Sequence, residues 1–325
     1  MRFAALALSL TVAGMQVAGA QSPDEWSEEF PKTDFSRATV PFSEIRSGGP
    51  RRDTIPPIHD PQYEPVAELE GVGRLEPVIG VVVGGEARAY PLRIMLWHEI
   101  VNDTVGGVPI LVSYCPLCNS GLVFDRRVEG RTLTFGNTGR IRHFDMVMYD
   151  HQTESWWQQF SGTAIVGTLS GKTMTLIPAR LESLAQFAAR APDGRVLVPN
   201  DKTARPYGVT PFAGMDSGFT PPPFLAYALP DGIRPLDYAV VVGDRAWPLS
   251  RLRKAERIAE AGLVLTWTPG RNSLHDTRRI EDGRDLGNVT VTRQGAPHEE
   301  VAHDVAFAFA FAAFVPDGAW MDGMP

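Results

Sequence analysis

Cys115 and Cys118 are the only two thiols in this 325-residue chain, and their spacing suits three kinds of chemistry. They can share a metal ion, cycle between dithiol and disulfide as a redox pair, or close permanently into a bridge that staples a turn. The surrounding stretch, Ile110-Leu-Val-Ser-Tyr-Cys-Pro-Leu-Cys-Asn-Ser-Gly121, puts an apolar run before the pair and turn-forming residues around it, so the thiols are expected between strands. A redox pair of the thioredoxin kind needs its first cysteine at a helix N-terminus, where the dipole favours the thiolate. Asn119-Ser120-Gly121 followed by Leu-Val-Phe predicts a strand there instead.

A Cys-Pro-x-Cys turn between strands resembles the metal knuckle of rubredoxins and zinc ribbons, in which turn amides point at the sulfurs. A knuckle supplies two ligands, so others must come from elsewhere. His98 leads, because its polar segment, Trp97-His-Glu-Ile-Val-Asn-Asp-Thr104, runs into the cysteine strand; the plainer reading makes it a helix-capping histidine bonded to Glu99 or Asn102. Glu99, Asn102 and Asp103 are read as support behind the ligands or as turn structure. His143 is a weaker nitrogen donor. If 143–150 is a strand, His143, Asp145, Val147 and Tyr149 share one face, and Met146 and Met148 lie on the other as core rather than as copper(I) ligands. Asp150, Thr153, Ser155, Trp157 and Gln158 form either a pocket wall or a β-turn anchored by tryptophan, while His151 and Glu154 are expected in solvent. Such donors suit copper or zinc, and no nucleotide cofactor is expected. In the redox alternative the catalytic residues are Cys115 and Cys118 themselves, with a thiol redox partner in place of a metal ion.

Met1-Arg2-Phe3, an apolar stretch from Ala4 to Ala13, and Ala18-Gly19-Ala20 before Gln21 have the pattern of a secretory signal peptide over residues 1–20. The expected location is therefore the periplasm or outside the cell, with no stable membrane anchor once the signal is cleaved. The formal charge of −7 becomes −8 when Arg2 is removed. With no Lys/Arg-rich stripe, that charge argues against nucleic acid or anionic lipid as partners. Residues 21–76 read as an extended Pro/Gly-rich arm and 200–235 as a loop-rich insert around Pro221-Pro222-Pro223. Short β-branched runs separated by Gly pairs predict hairpins, with helices behind Pro91 and over Leu181–Arg190.

The chain also repeats itself. Val81-Val-Val-Gly-Gly-Glu-Ala-Arg-Ala-Tyr-Pro-Leu92 reappears as Val240-Val-Val-Gly-Asp-Arg-Ala-Trp-Pro-Leu249, and Ile110–Ser120 aligns without gaps on Leu263–Ser273. Two more matches follow in the same order, Glu129-Gly130-Arg131 on Asp282-Gly283-Arg284 and Phe187–Gly194 on Phe311–Gly318. The fold class expected is mainly β, a β-rich α+β arrangement of two packed pseudo-repeats, 77–199 and 236–325, with a few short helices. In the second copy Thr268 and Arg271 replace the cysteines, and the His98–Asp103 and His143–Gln159 segments have no clear counterpart. The specialised residues thus belong to the first copy.

Tyr-Pro-Leu-Arg-Ile with Trp-His-Glu-Ile-Val-Asn-Asp, Tyr-Cys-Pro-Leu-Cys-Asn-Ser-Gly, and Met-Tyr-Asp-x-Gln-Thr-Glu-Ser-x-Trp-x-Gln together resemble the exported bacterial family named domain of unknown function 3179, over residues 60–325. The resemblance implies that His98, Glu99, Asn102, Asp103, Cys115, Cys118, Asp150, Thr153, Ser155, Trp157 and Gln158 are pattern positions. It implies no activity. The leading reading is an exported protein that holds copper or zinc through Cys115, Cys118 and His98. The alternatives are a periplasmic thiol-disulfide redox protein and a binding or scaffold module with a structural Cys115–Cys118 bridge.

Overall fold

The computed structural model describes residues 23–217 and 227–323; residues 1–20, expected to be a signal peptide, and Pro221–Pro223 lie outside the described residues. The chain is mainly β, with five short α-helices among the described residues. Five sheets of four or five strands form a propeller-like ring, with one two-stranded ribbon beside them.

The apolar run Pro77–Val83 makes a strand whose first five residues are buried. It turns back on Glu86–Pro91 through Gly84 and Gly85, both at positive φ (57° and 82°), the conformation a two-residue hairpin turn of matching twist demands. Pro91 cannot continue the ladder and starts the helix Leu92–His98, which ends where Glu99 enters the left-handed region (φ 60°). The second copy repeats these steps. Strands Tyr238–Val242 and Arg245–Pro248 are followed by helix Leu249–Ala255, and Glu256 takes φ 57°.

The sheet order agrees as well. Ala179–Ser183, Pro77–Val83, Glu86–Pro91 and Arg195–Val198 lie side by side in the first half, and Asp304–Phe307, Tyr238–Val242, Arg245–Pro248 and Ala319–Trp320 in the second. The last pair is parallel in both. One hydrophobic core runs through both halves, from Ile79 and Tyr114 to Trp247 and Phe309.

The likeness stops at the turn that carries the cysteines. In the first half Cys115 pairs with Ser120, closing a loop of four residues. In the second, Thr268 pairs with Asn288, so a long excursion stands where the sequence alignment continues unbroken to Ser273. One further expectation is corrected. The helix expected from Leu181 begins only at Leu184, because Ala179–Ser183 is drawn into the ladder beside Pro77–Val83 and Ser183 then caps the helix through Gln186 N (3.3 Å). The arm packs onto the domain. Trp26, Phe30 and Ile45 are fully buried against Val147, Tyr149, Trp156 and Ile165 in a second core.

Candidate metal centre

The strand Val108–Cys115 delivers Cys115 to the hairpin loop and Ser120–Asp125 returns from it, with Asn119 in the left-handed region (φ 52°) closing the turn. No helix begins at Cys115. The Cys118 backbone amide hydrogen-bonds to the Cys115 sulfur, the inward amide of a knuckle. The carbonyls point the other way and are taken up by the second half. His275 Nε2 donates to Pro116 O (2.7 Å) and Phe307 N to Cys118 O (2.9 Å). Asn119 Nδ2 donates to Val305 O (2.6 Å), while Asp304 accepts from Ser120 Oγ (2.5 Å) and Gly121 N (3.1 Å). The second half therefore fixes the turn that holds the sulfurs.

The third group of the site comes from a different sheet. Phe135–Arg142 and Asp145–Asp150 form a hairpin in register Arg142↔Asp145, so the two-residue turn is His143-Phe144, at φ 50° and 64°. Such turns favour Asn-Gly, because bulky residues meet steric cost at positive φ. Here tertiary contacts offset it. Phe144 is buried with its ring near Phe309 (centroids 6.1 Å), and the His143 ring is held by Tyr227 Oη (2.8 Å) and Glu44 (3.3 Å). The next residue, Asp145, meets the thiols. Cys118 Sγ donates to its Oδ1 (3.0 Å), and Oδ2 accepts from Gln158 Nε2 (2.6 Å) and the Phe160 amide (3.0 Å).

Cys115, Cys118 and Asp145 are at most 1% exposed, and one donor atom from each lies within 4.8 Å of the others. A tetrahedral zinc ion, with bonds of about 2.3 Å to sulfur, holds two sulfurs about 3.8 Å apart, a spacing that lies inside the 4.8 Å within which these donor atoms are gathered. Burial pushes both thiols up, Cys118 well above the usual thiol range, and raises Asp145 against the lowering effect of its hydrogen bonds. As thiols the pair needs no counter-charge; ionised together beside the carboxylate they would need a cation. Glu99 is partly exposed as a residue, yet burial and then the Asp145 charge push its carboxyl up to about 8.

Other residues singled out in the sequence lie elsewhere. His98 does not join the cysteines. It ends its helix, and its ring is spent on Pro56 O (Nδ1, 2.8 Å) and Tyr207 Oη (Nε2, 2.9 Å), leaving no free lone pair. His143 is in the turn, not on the strand face. Asp103 anchors the arm by accepting from Tyr63 and Tyr90 hydroxyls, and Asn102 clamps the backbone of Phe135. Asp150 is closed off by Thr153 N (2.6 Å), Thr153 Oγ1 (2.8 Å) and Trp157 Nε1 (3.0 Å), with Ser155 Oγ on Thr153 (2.8 Å). That knot shapes a turn. Gln158, from the same segment, is at the site and orients Asp145. Asp145 was the acid that sequence reasoning passed over; its signal was that it lies in the 143–159 stretch lacking a second copy.

These motifs belong to one family. The model described as "Protein of unknown function (DUF3179)" matches residues 52–318. The chain belongs to that family. The DUF3179 match spans the cysteine hairpin, Asp145 and both halves of the repeat, along with the arm from Arg52 onward. No curated protein and no solved structure matches the chain.

Proposed function

We propose that the protein is an exported metal-binding protein in which Cys115, Cys118 and Asp145 coordinate a zinc or copper ion, with Gln158 and the Phe160 amide orienting the carboxylate. The observation that carries this reading is the convergence of three buried donor atoms within 4.8 Å from two separate hairpins. A soft or borderline ion is favoured because two of the three donors are sulfur. Metal supplies the positive charge that lets both thiols ionise in a buried site, and its binding expels their protons. Three protein donors leave the fourth position of a tetrahedral ion to a further donor.

Thiol redox chemistry has less support. The pair lacks a helix N-terminus, and burial holds both sulfurs in the protonated, weakly nucleophilic form. Export rests on residues 1–20, and N-terminal sequencing of the protein from its native host should begin at Gln21. The binding test is titration of the reduced protein with zinc and with copper(I) under anaerobic conditions. One equivalent is expected to bind tightly, and the double variant Cys115→Ser/Cys118→Ser to bind none. A protein that takes up neither ion, yet exchanges electrons with a glutathione buffer through a Cys115–Cys118 disulfide, would overturn the reading in favour of redox.

A further inference from the structure

A second site lies away from the thiols, where the arm crosses the strand that carries Asn102. An open pocket of about 360 Å³ is lined by His59, Asn102, Arg126, Thr134 and His151. Its chemistry is decided by Asn102. The Asn102 Oδ1 accepts from Phe135 N (2.8 Å) and Nδ2 donates to Phe135 O (2.9 Å), so the amide cannot be flipped. The same Nδ2 meets His59 Nδ1 at 3.2 Å. That ring nitrogen must then accept, which places the proton of neutral His59 on Nε2.

Every polar group left over at the wall can donate. His59 Nε2–H has no protein partner among the described residues, and His151 Nε2 is buried without one. Arg126 is only 8% exposed and gives Nε to Ile110 O, Nη1 to Leu133 O and Nη2 to Asp103 O. Those three carbonyls leave two of its five N–H groups unused, and among the described residues no carboxylate forms an ion pair with it, although the Asp103 and Asp125 charges act on it. Thr134 Oγ1 accepts weakly from Gln152 (3.4 Å) and keeps its own proton to give. The acids nearest His151 are already engaged: Asp53 by Asn137 N and Tyr149 Oη, Asp150 by Thr153 and Trp157. Arg52, on the same side, is paired with Glu154 over the Tyr149 ring.

We infer that this pocket binds a small oxyanion, a carboxylate or a phosphate, through His59, His151, Thr134 and Arg126, with Asn102 as the positioning residue that sets the His59 tautomer. A divalent metal is disfavoured, because a ligating His59 Nε2 would force a proton onto Nδ1, against the Asn102 donor. Burial lowers the proton affinity of both histidines; the Asp53 charge acts the other way on both and Asp150 on His151, while Arg126 opposes protonation of His59, and His59 and Arg52 oppose that of His151. Protonating His59 would put a proton on Nδ1 against the Asn102 donor, so His59 stays neutral and the pH dependence is that of His151, whose protonation beside a bound anion strengthens binding as the pH falls.

The test is imidazole NMR of the full mature protein, titrated with sodium phosphate and with sodium acetate against matched chloride. Free His59 should show the Nε2–H tautomer, and both rings should shift saturably with at least one anion. Preference for phosphate or for acetate identifies the source, and either sustains the proposal. His59→Gln and His151→Ala should each weaken binding about tenfold or more, at unchanged metal stoichiometry of the cysteine site. Asn102→Asp should move the His59 proton to Nδ1 and abolish anion binding. The proposal is overturned by an Nδ1–H tautomer in the free protein, by the absence of a saturable shift with both anions, by undiminished affinity in His59→Gln and His151→Ala, or by zinc saturating both rings.

Discussion

Replacing Asp145 with Asn removes one charge and almost no volume. In the metal-free protein the amide oxygen can take over the bonds from Gln158 Nε2 and the Phe160 amide, turning its NH2 group toward the Cys118 sulfur that now donates to Oδ1. Weaker hydrogen bonds and relief of a buried carboxylate act in opposite directions, so the fold should survive with a stability change of about 1 kcal/mol or less. Metal binding should not survive as well. Structural zinc is held by about 10–16 kcal/mol over four ligands, so one ligand is worth about 2.5–4 kcal/mol, or about 10²–10³ in affinity. Competition with a chromophoric chelator, wild type beside Asp145→Asn and with urea melts of both, measures the two quantities. A variant that binds zinc within about threefold of wild type, near 0.7 kcal/mol, would refute the carboxylate as a ligand.

Three further outcomes follow from the same geometry. Because burial raises both thiols, zinc loading near neutral pH should release about two protons per ion and affinity should rise with pH; pH-stat titration with no proton release would contradict it. Asp150→Asn breaks the knot with Thr153 and Trp157 and should destabilise the protein by about 2–4 kcal/mol while leaving zinc stoichiometry at wild-type level, a contrast with Asp145→Asn that urea melts and metal analysis resolve. His275 is buried and lowered to about 4 by that burial. Its unfolded form binds a proton below about pH 6.5, so stability falls as pH drops from there toward 4, by at most about 3 kcal/mol. His275→Gln keeps a donor for Pro116 O and should lose that part of the slope; an identical pH profile would contradict the assignment.

Much of the scaffold is written locally. The Gly84-Gly85 turn, the Pro91 helix start and the cysteine hairpin each depend on a few adjacent residues, and the recurrence of the first two near Gly243 and Pro248 can be read by eye. The third ligand cannot. Asp145 reaches Cys118 from 27 positions away through a turn made by His143-Phe144, residues whose propensities argue against that conformation and which tertiary contacts hold in it. His98 shows the opposite failure. Its place beside the cysteine strand was legible, but the direction of its ring depends on Pro56 and Tyr207, distant segments that converge only in the fold. The ungapped match of Leu263–Ser273 to the cysteine strand also overstated the repeat, since the second copy leaves the shared path after Thr268.

The central claim is that two sulfurs and one carboxylate oxygen hold the same ion. X-ray absorption at the zinc edge of the stoichiometrically loaded protein reads that shell directly. The expected shell has two sulfur scatterers at about 2.3 Å with oxygen or nitrogen at about 2.0–2.2 Å, one oxygen being lost or replaced in Asp145→Asn. A shell without sulfur, or four nitrogen and oxygen scatterers alone, would contradict it.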